Sequence, residues 1–159
     1  LEVDRFNDAN LQLGLEAVKL ASLLQDLQSK IPGLSSRLQI QMELGQLETD
    51  ARLLSVIVLN LLNNAMRYSP PDTVITVKIT AREGGMELRQ ENLPGIAGWP
   101  DPERLFQKYY RAPGAYRLSG TGLGLYLSRQ MAQRLGGELR YVPSATHIGF
   151  VLWLPSKKR

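Results

Sequence analysis

The stretch Ser119-Gly120-Thr121-Gly122-Leu123-Gly124-Leu125 constrains this chain more than any other. Three glycines at alternate positions run straight into a segment of helical apolar spacing, Gly122 to Leu135, which Gly136-Gly137 then stops. Glycine lets backbone N–H groups come close to an anion, and the first turn of a helix adds its positive dipole. No Gly-Lys-Ser/Thr follows, so this is not a P-loop. No strand precedes it at the right spacing, so it is not a dinucleotide fingerprint. Alone, the stretch reads equally as an anion cradle or as a flexible turn.

A second stretch, Asn60-Leu61-Leu62-Asn63-Asn64-Ala65-Met66-Arg67-Tyr68-Ser69-Pro70, falls at the end of a helix. That helix opens near Thr49 and Asp50, both good N-caps, and ends at Tyr68 before Pro70-Pro71. Asn60, Asn64, Arg67 and Tyr68 stand at i, i+4, i+7 and i+8 and share one face. Ile57, Leu61 and Ala65 take the adjoining face as core. Asparagine competes for backbone hydrogen bonds and is a poor residue for a helix interior. Three asparagines in five helical positions are either a polar helix edge or oxygen ligands for Mg²⁺, which keeps most of its waters and adds phosphate oxygens.

The remaining pattern sets the fold class. Leu11–Leu15 alternates weakly as a short strand, and Val18 to Ile31 reads as an amphipathic helix stopped by Pro32-Gly33. Leu38–Met42 alternates strictly. Val74–Ile79 and Met86–Leu88 flank a turn at Glu83-Gly84-Gly85, which is a hairpin signal. Asn92 to Pro102 and Ala112 to Gly120 read as loops. Leu139–Val142 and Ile148–Leu154 close the chain as strands. Strands and helices mix without strict βαβ alternation, which predicts an α+β fold: a two-layer α/β sandwich with helices on one face of a mixed β-sheet.

The 159 residues are one domain's worth, with residues 1–17 expected to be a linker or an edge strand. The absence of cysteine excludes a disulfide scaffold, a thiolate metal site and a cysteine nucleophile, and one histidine, His147, excludes a multi-histidine metal site. A net charge of +4 suits an anionic ligand such as a nucleotide and falls short of a nucleic-acid footprint, so no nucleic-acid partner is expected. No apolar run approaches the ~20 residues of a membrane span. The first residue is Leu1, and the chain reads as part of something longer.

Together and in this order, the motifs resemble the ATP-binding catalytic domain of bacterial sensor histidine kinases, a branch of the superfamily shared with Hsp90-type and topoisomerase-type ATPases. Asn60–Pro70 looks like the N box, Leu105–Ala112 (LFQKYYRA) like the F box, and Gly120–Leu139 like the G2 box with its following helix. Phe150–Pro155 resembles the closing strand. The match runs from about Val18 onward.

The resemblance implies ATP and Mg²⁺ as cofactors. It implies Asn64 as the main metal ligand and Asn60 as a helper near the metal and phosphates. Arg67 would meet a phosphate, and Tyr68 would lie along the nucleotide. Lys108 and Arg111 would reach the phosphates from the F-box side. Gly120, Gly122 and Gly124 would hinge the ATP lid, Ala112 to Ser119, with Thr121 and Leu123 donating backbone N–H. The implied partners are a histidine-bearing dimerisation domain of the same protein, absent here, and a downstream response regulator. The implied setting is a cytoplasmic domain of an inner-membrane-associated protein, attached through that missing part.

One box departs. The family's G1 box is Asp-x-Gly-x-Gly, and its carboxylate takes the adenine amino group. Here the segment is Glu91-Asn92-Leu93-Pro94-Gly95-Ile96. Aligned on Pro-Gly-Ile, Glu91 takes the Asp position and Leu93 the first Gly, where close backbone approach or positive φ is at stake. A one-residue slip offers Asn92 instead. Ile148 also stands where the family often has Thr or Ser. These departures motivate a second reading, a degenerate pseudokinase that acts as an interaction module with weak or no ATP binding. A third, a hydrolytic ATPase, ranks lower because Asn60 cannot serve as general base where those enzymes place Glu.

Overall fold

The computed structural model describes residues 12–110 and 124–157. In chain order the elements are β1 (Leu15–Lys19), α1 (Leu20–Ser29), β2 (Leu38–Met42), β3 (Gln46–Asp50) and α2 (Ala51–Tyr68). These are followed by β4 (Ile75–Arg82), β5 (Gly85–Asn92), α3 (Gly124–Arg134), β6 (Glu138–Tyr141) and β7 (Ile148–Pro155). Five strands form one sheet in the order β2-β4-β5-β7-β6, with β2 parallel to β4 and the other pairs antiparallel. β1 and β3 pair antiparallel as a separate ribbon.

The pleat explains the layering. Ile75, Val77 and Ile79 of β4 and Met86, Leu88, Gln90 and Asn92 of β5 are all buried, while Thr76, Lys78, Glu87, Arg89 and Glu91 between them are half or fully exposed. The buried face carries the helices. α2 presses Leu53, Leu54, Ile57, Val58, Leu61, Leu62 and Ala65 onto it. Each such side chain contributes about 1.5–3 kcal/mol when fully buried, so this stripe, not local propensity, decides where α2 lies. The expected two-layer α/β sandwich with a mixed sheet is therefore the observed fold.

The β4–β5 connection is a two-residue turn with Glu83 and Gly84 both at positive φ, 49° and 74°. That is the backbone whose twist suits a tight hairpin. Elsewhere the boundaries move. The first strand is Leu15–Lys19 rather than Leu11–Leu15, and α1 starts at Leu20 rather than Val18. β5 runs to Asn92, which puts Glu91 and Asn92 in the sheet instead of at the head of a loop. β3 has no counterpart in the sequence reading, because Leu47 is the only apolar residue in Gln46–Asp50. Asp50 nevertheless caps α2 as expected: its carboxylate accepts from the amides of Arg52 at 2.9 Å and Leu53 at 3.2 Å.

Candidate nucleotide site

The Asn-rich end of α2 lies beside the start of α3. The Asn60 amide nitrogen donates to the Gly124 carbonyl at 3.3 Å and to Ser128 Oγ at 3.2 Å, which ties the middle of α2 to the first turn of α3. Asn64, one turn further along the same face, is half-buried and has no hydrogen-bond partner among the described residues. Arg67 is exposed and Tyr68 half-buried. The helical face read from the spacing is therefore a real face, bounded by α3 on one side.

The F box reaches the same end of α3. Leu105 is buried, Phe106 packs edge-on against Phe150 at 6.3 Å, and the Arg129 guanidinium of α3 stacks 4.4 Å over the Phe106 ring. Tyr110 anchors the turn, since its hydroxyl accepts from the Asp101 amide at 2.7 Å. Burial pushes the Tyr110 phenol above its ordinary pKa, against that hydrogen bond. Tyr109, by contrast, is 63% exposed and sits at φ 66°, so it does not anchor the turn. Lys108 Nζ lies 5.5 Å from the Tyr109 ring and 5.9 Å from the Tyr126 ring on the first turn of α3. That contact holds the Lys108 ammonium beside the first turn of α3, the end of the helix where an anion is favoured.

The G1 segment departs from the Pro-Gly-Ile alignment. Glu91 faces away from the helices, paired with Thr76 and Gly149 on the open side of the sheet. Asn92 faces the helices, is 1% exposed, and is flanked in register by Ile75 and Ile148. Its amide nitrogen donates to the Leu93 carbonyl at 2.9 Å, so its oxygen is the atom left to accept. The slipped alignment is the one that matches the pleat. In that alignment Leu93 falls on the variable position after Asn92, and it is not among the residues at positive φ.

Gly95 is needed for a different reason. Its amide donates to the Tyr68 carbonyl at 2.8 Å, and a Cβ there would lie 2.9 Å from that same oxygen. The G1 segment is thus seated directly on the end of α2.

Arg111, Gly120, Thr121, Gly122, Leu123 and the segment Ala112–Ser119 lie outside the described residues, so only Gly124 of the glycine run has a place: it opens α3. His147 sits in the β6–β7 turn with Nδ1 2.8 Å from Thr146 Oγ1. Trp153 lies on the open sheet face, its indole donating to the Arg82 carbonyl at 2.9 Å. Among the described residues no cluster of three Asp, Glu or His side chains could hold a metal alone. The donor set on offer is carboxamide oxygen, which fits a Mg²⁺ ion held largely by water and phosphate.

Three residues escaped the sequence reading. Ser128 is i+4 from Gly124 and was findable by that spacing. Gln90 breaks the apolar row of β5; its amide nitrogen donates to the Leu61 carbonyl at 2.7 Å, and its oxygen is buried without a partner. Arg37 has no motif around it at all.

The family described as "Histidine kinase-, DNA gyrase B-, and HSP90-like ATPase" matches residues 49–158. The chain belongs to this family. It is 40% identical over 147 residues to the histidine protein kinase DivJ of Caulobacter vibrioides, covering 87% of this chain and 24% of DivJ. It is 37% identical over 115 residues to the swarming motility regulation sensor protein RssA of Serratia marcescens, covering 70% of this chain and 24% of RssA. Full-length ShkA, solved in complex with AMPPNP, shares the fold with a TM-score of 0.77 at 18% identity, over 98% of this chain and 34% of that one. The chain therefore spans about a quarter of the length of the DivJ and RssA proteins it matches. It is an ATP-binding catalytic domain of the sensor histidine kinase type.

Proposed function

We propose that this domain binds Mg²⁺-ATP between α2, the G1 segment, the F box and the start of α3, and presents the γ-phosphoryl to a histidine on a separate dimerisation domain of the same protein. The observation that carries the reading is the seam between α2 and α3, where Asn60 bonds Gly124 and Ser128 and Lys108 lies against Tyr126, with Asn64 one turn along α2 without a hydrogen-bond partner among the described residues. The nucleotide complex of ShkA, a protein of the same fold, supports it.

Asn92 reads the adenine amino group, its oxygen accepting while the Leu93 carbonyl holds its nitrogen. Gly95, fixed on Tyr68, sets the height of that loop. Arg67, Lys108 and Arg111 neutralise phosphate charge, and Tyr68 lies along the nucleotide. Gly120, Gly122 and Gly124 take the hinge role that the family resemblance implies, with the backbone N–H groups of Thr121 and Leu123 as donors to the phosphates. Asn64 offers its oxygen to Mg²⁺, and Asn60 fixes α3 against α2 beside it. When bound, the metal supplies charge neutralisation on the phosphate oxygens. Phosphoryl transfer then depends on positioning and electrostatics, which is what these residues provide. The remaining partners are a response regulator downstream and, through the rest of the protein, the cytoplasmic face of the inner membrane.

Calorimetry of ATP and ADP with and without Mg²⁺ tests the reading. Binding that tightens with Mg²⁺ is expected, and Asn64→Ala removes the Mg²⁺-dependent part, while Asn63→Ala, on a different face, does not. Equal losses from both variants, with folding intact, would overturn the assignment.

A further inference from the structure

We propose that Arg37 is a positioning residue for the nucleotide site, acting through the turn that follows α2. The proposal rests on the reading of that site as nucleotide-binding. The turn Ser69-Pro70-Pro71-Asp72-Thr73 has a shortage of donors, because neither proline carries an N–H. Inside the turn only Thr73 donates, to the Pro70 carbonyl from Oγ1 at 2.7 Å and from its amide at 3.4 Å; the remaining acceptors look outside it, and α2 ends beside them with carbonyls that lack helical partners.

The Arg37 guanidinium supplies what is missing. Nε donates to the Thr73 carbonyl at 2.7 Å. Nη2 donates to Ser69 Oγ at 2.6 Å, to the Pro70 carbonyl at 3.0 Å and to Thr73 Oγ1 at 3.3 Å. Nη1 reaches Met66 Sδ at 3.4 Å. No carboxylate is among the partners. A cation at the negative end of the helix dipole is favoured there in its own right. The Arg37 backbone is itself pinned, donating to the Leu34 carbonyl and accepting from the Ile75 amide.

The consequence reaches the site in one step. Ser69 follows Tyr68, whose carbonyl holds the Gly95 amide, and Gly95 ends the segment that begins with Asn92. The fork on the turn therefore sets where the G1 segment can sit. Arg37 touches no ligand and acts only through this contact. A lysine, with one ammonium on a flexible stem, cannot span these acceptors.

The test uses the 159-residue chain, ATP calorimetry and amide hydrogen exchange at Gly95. Arg37→Lys is expected to weaken ATP binding about tenfold and to speed exchange at Gly95, with core amides of α2 unchanged. Ser69→Ala, which removes one acceptor, is the milder variant and is expected to cost about threefold. Gly95→Ala already breaks the contact with Tyr68, so adding Arg37→Lys to it should cost less than a further twofold.

An ATP-binding parent whose Arg37→Lys variant keeps its affinity within twofold, or its Gly95 exchange rate, overturns the proposal alone. So does a full tenfold loss on top of Gly95→Ala, which would mark a general structural role. A parent chain that takes up no ATP overturns the reading of the site, and the proposal with it.

Discussion

At positions 91 and 92 the pleat of β5 decides which side chain faces the helices. Motif alignment favours Glu91, because a carboxylate matches a carboxylate. The strand instead sends Glu91 to the open face beside Gly149 and buries Asn92 among Ile75 and Ile148. The slip was visible as an alternative in the sequence, but choosing it needed the register, since a shift of one residue exchanges the faces. Leu93 is the related case: with Asn92 in the Asp position it falls on the variable position that follows, and the backbone there has no positive φ. The expected outcome follows. Asn92→Ala should weaken ATP binding roughly three- to tenfold, the worth of one hydrogen bond at about 0.5–1.5 kcal/mol. Glu91→Ala should leave affinity within about twofold, and Leu93→Gly should bring no gain. Dissociation constants for ATP and GTP check this; a larger loss from Glu91→Ala than from Asn92→Ala would return the site to the other alignment.

Helix α2 shows how much of an element a sequence discloses. Its apolar stripe and its cap were legible because both are local: Asp50 precedes the stripe and bonds the amides two and three residues on. β3 was not legible, because its partner is β1, remote in sequence, and of its buried residues Leu47, Thr49 and Asp50 only Leu47 is apolar. Asp50 belongs to both elements. Burial by itself raises its pKa, but the Arg52 side chain and the amides of Gly14 and Leu53 outweigh this and hold the carboxyl below its ordinary value. The unfolded state thus takes up the proton more readily than the folded one. The stabilisation from Asp50 is complete above the ordinary carboxylate range, about pH 4, and is lost as pH falls through the depressed folded value. Asp50→Ala should cost about 1–2 kcal/mol at neutral pH, the value of an N-cap, with little from the exposed Arg52 partner. Urea unfolding of parent and variant at several pH values checks it: the gap between them should shrink below about pH 4.

Across the whole molecule, the two ends of the site face different neighbours. In the proposed site the phosphate end is the seam of α2 and α3, with Asn64, Lys108 and Gly124. Its proposed base end is the edge where Asn92 meets Ile148, and His147 stands next to Ile148. On that proposal His147, the only histidine in the chain, stands at the base end rather than the phosphate end, and its Nδ1 lies 2.8 Å from Thr146 Oγ1. Phosphoryl transfer needs the acceptor in line with the bond that breaks, so a histidine at the base end is not expected to receive the γ-phosphoryl within one copy. The chain spans about a quarter of DivJ and RssA, and the proposed acceptor is a histidine on a separate domain. Incubated with γ-labelled ATP and Mg²⁺, the 159-residue chain should stay unlabelled, and His147→Ala should change nothing. Added to the histidine-bearing helical domain of the same protein, it should label that domain on histidine, giving an acid-labile, base-stable product. Acid-labile label on His147 in the isolated chain would sink the division of labour between this domain and its partner. Label that fails to appear on the helical domain, while ATP binds tightly, would leave the fold and the nucleotide site intact and take away the kinase assignment.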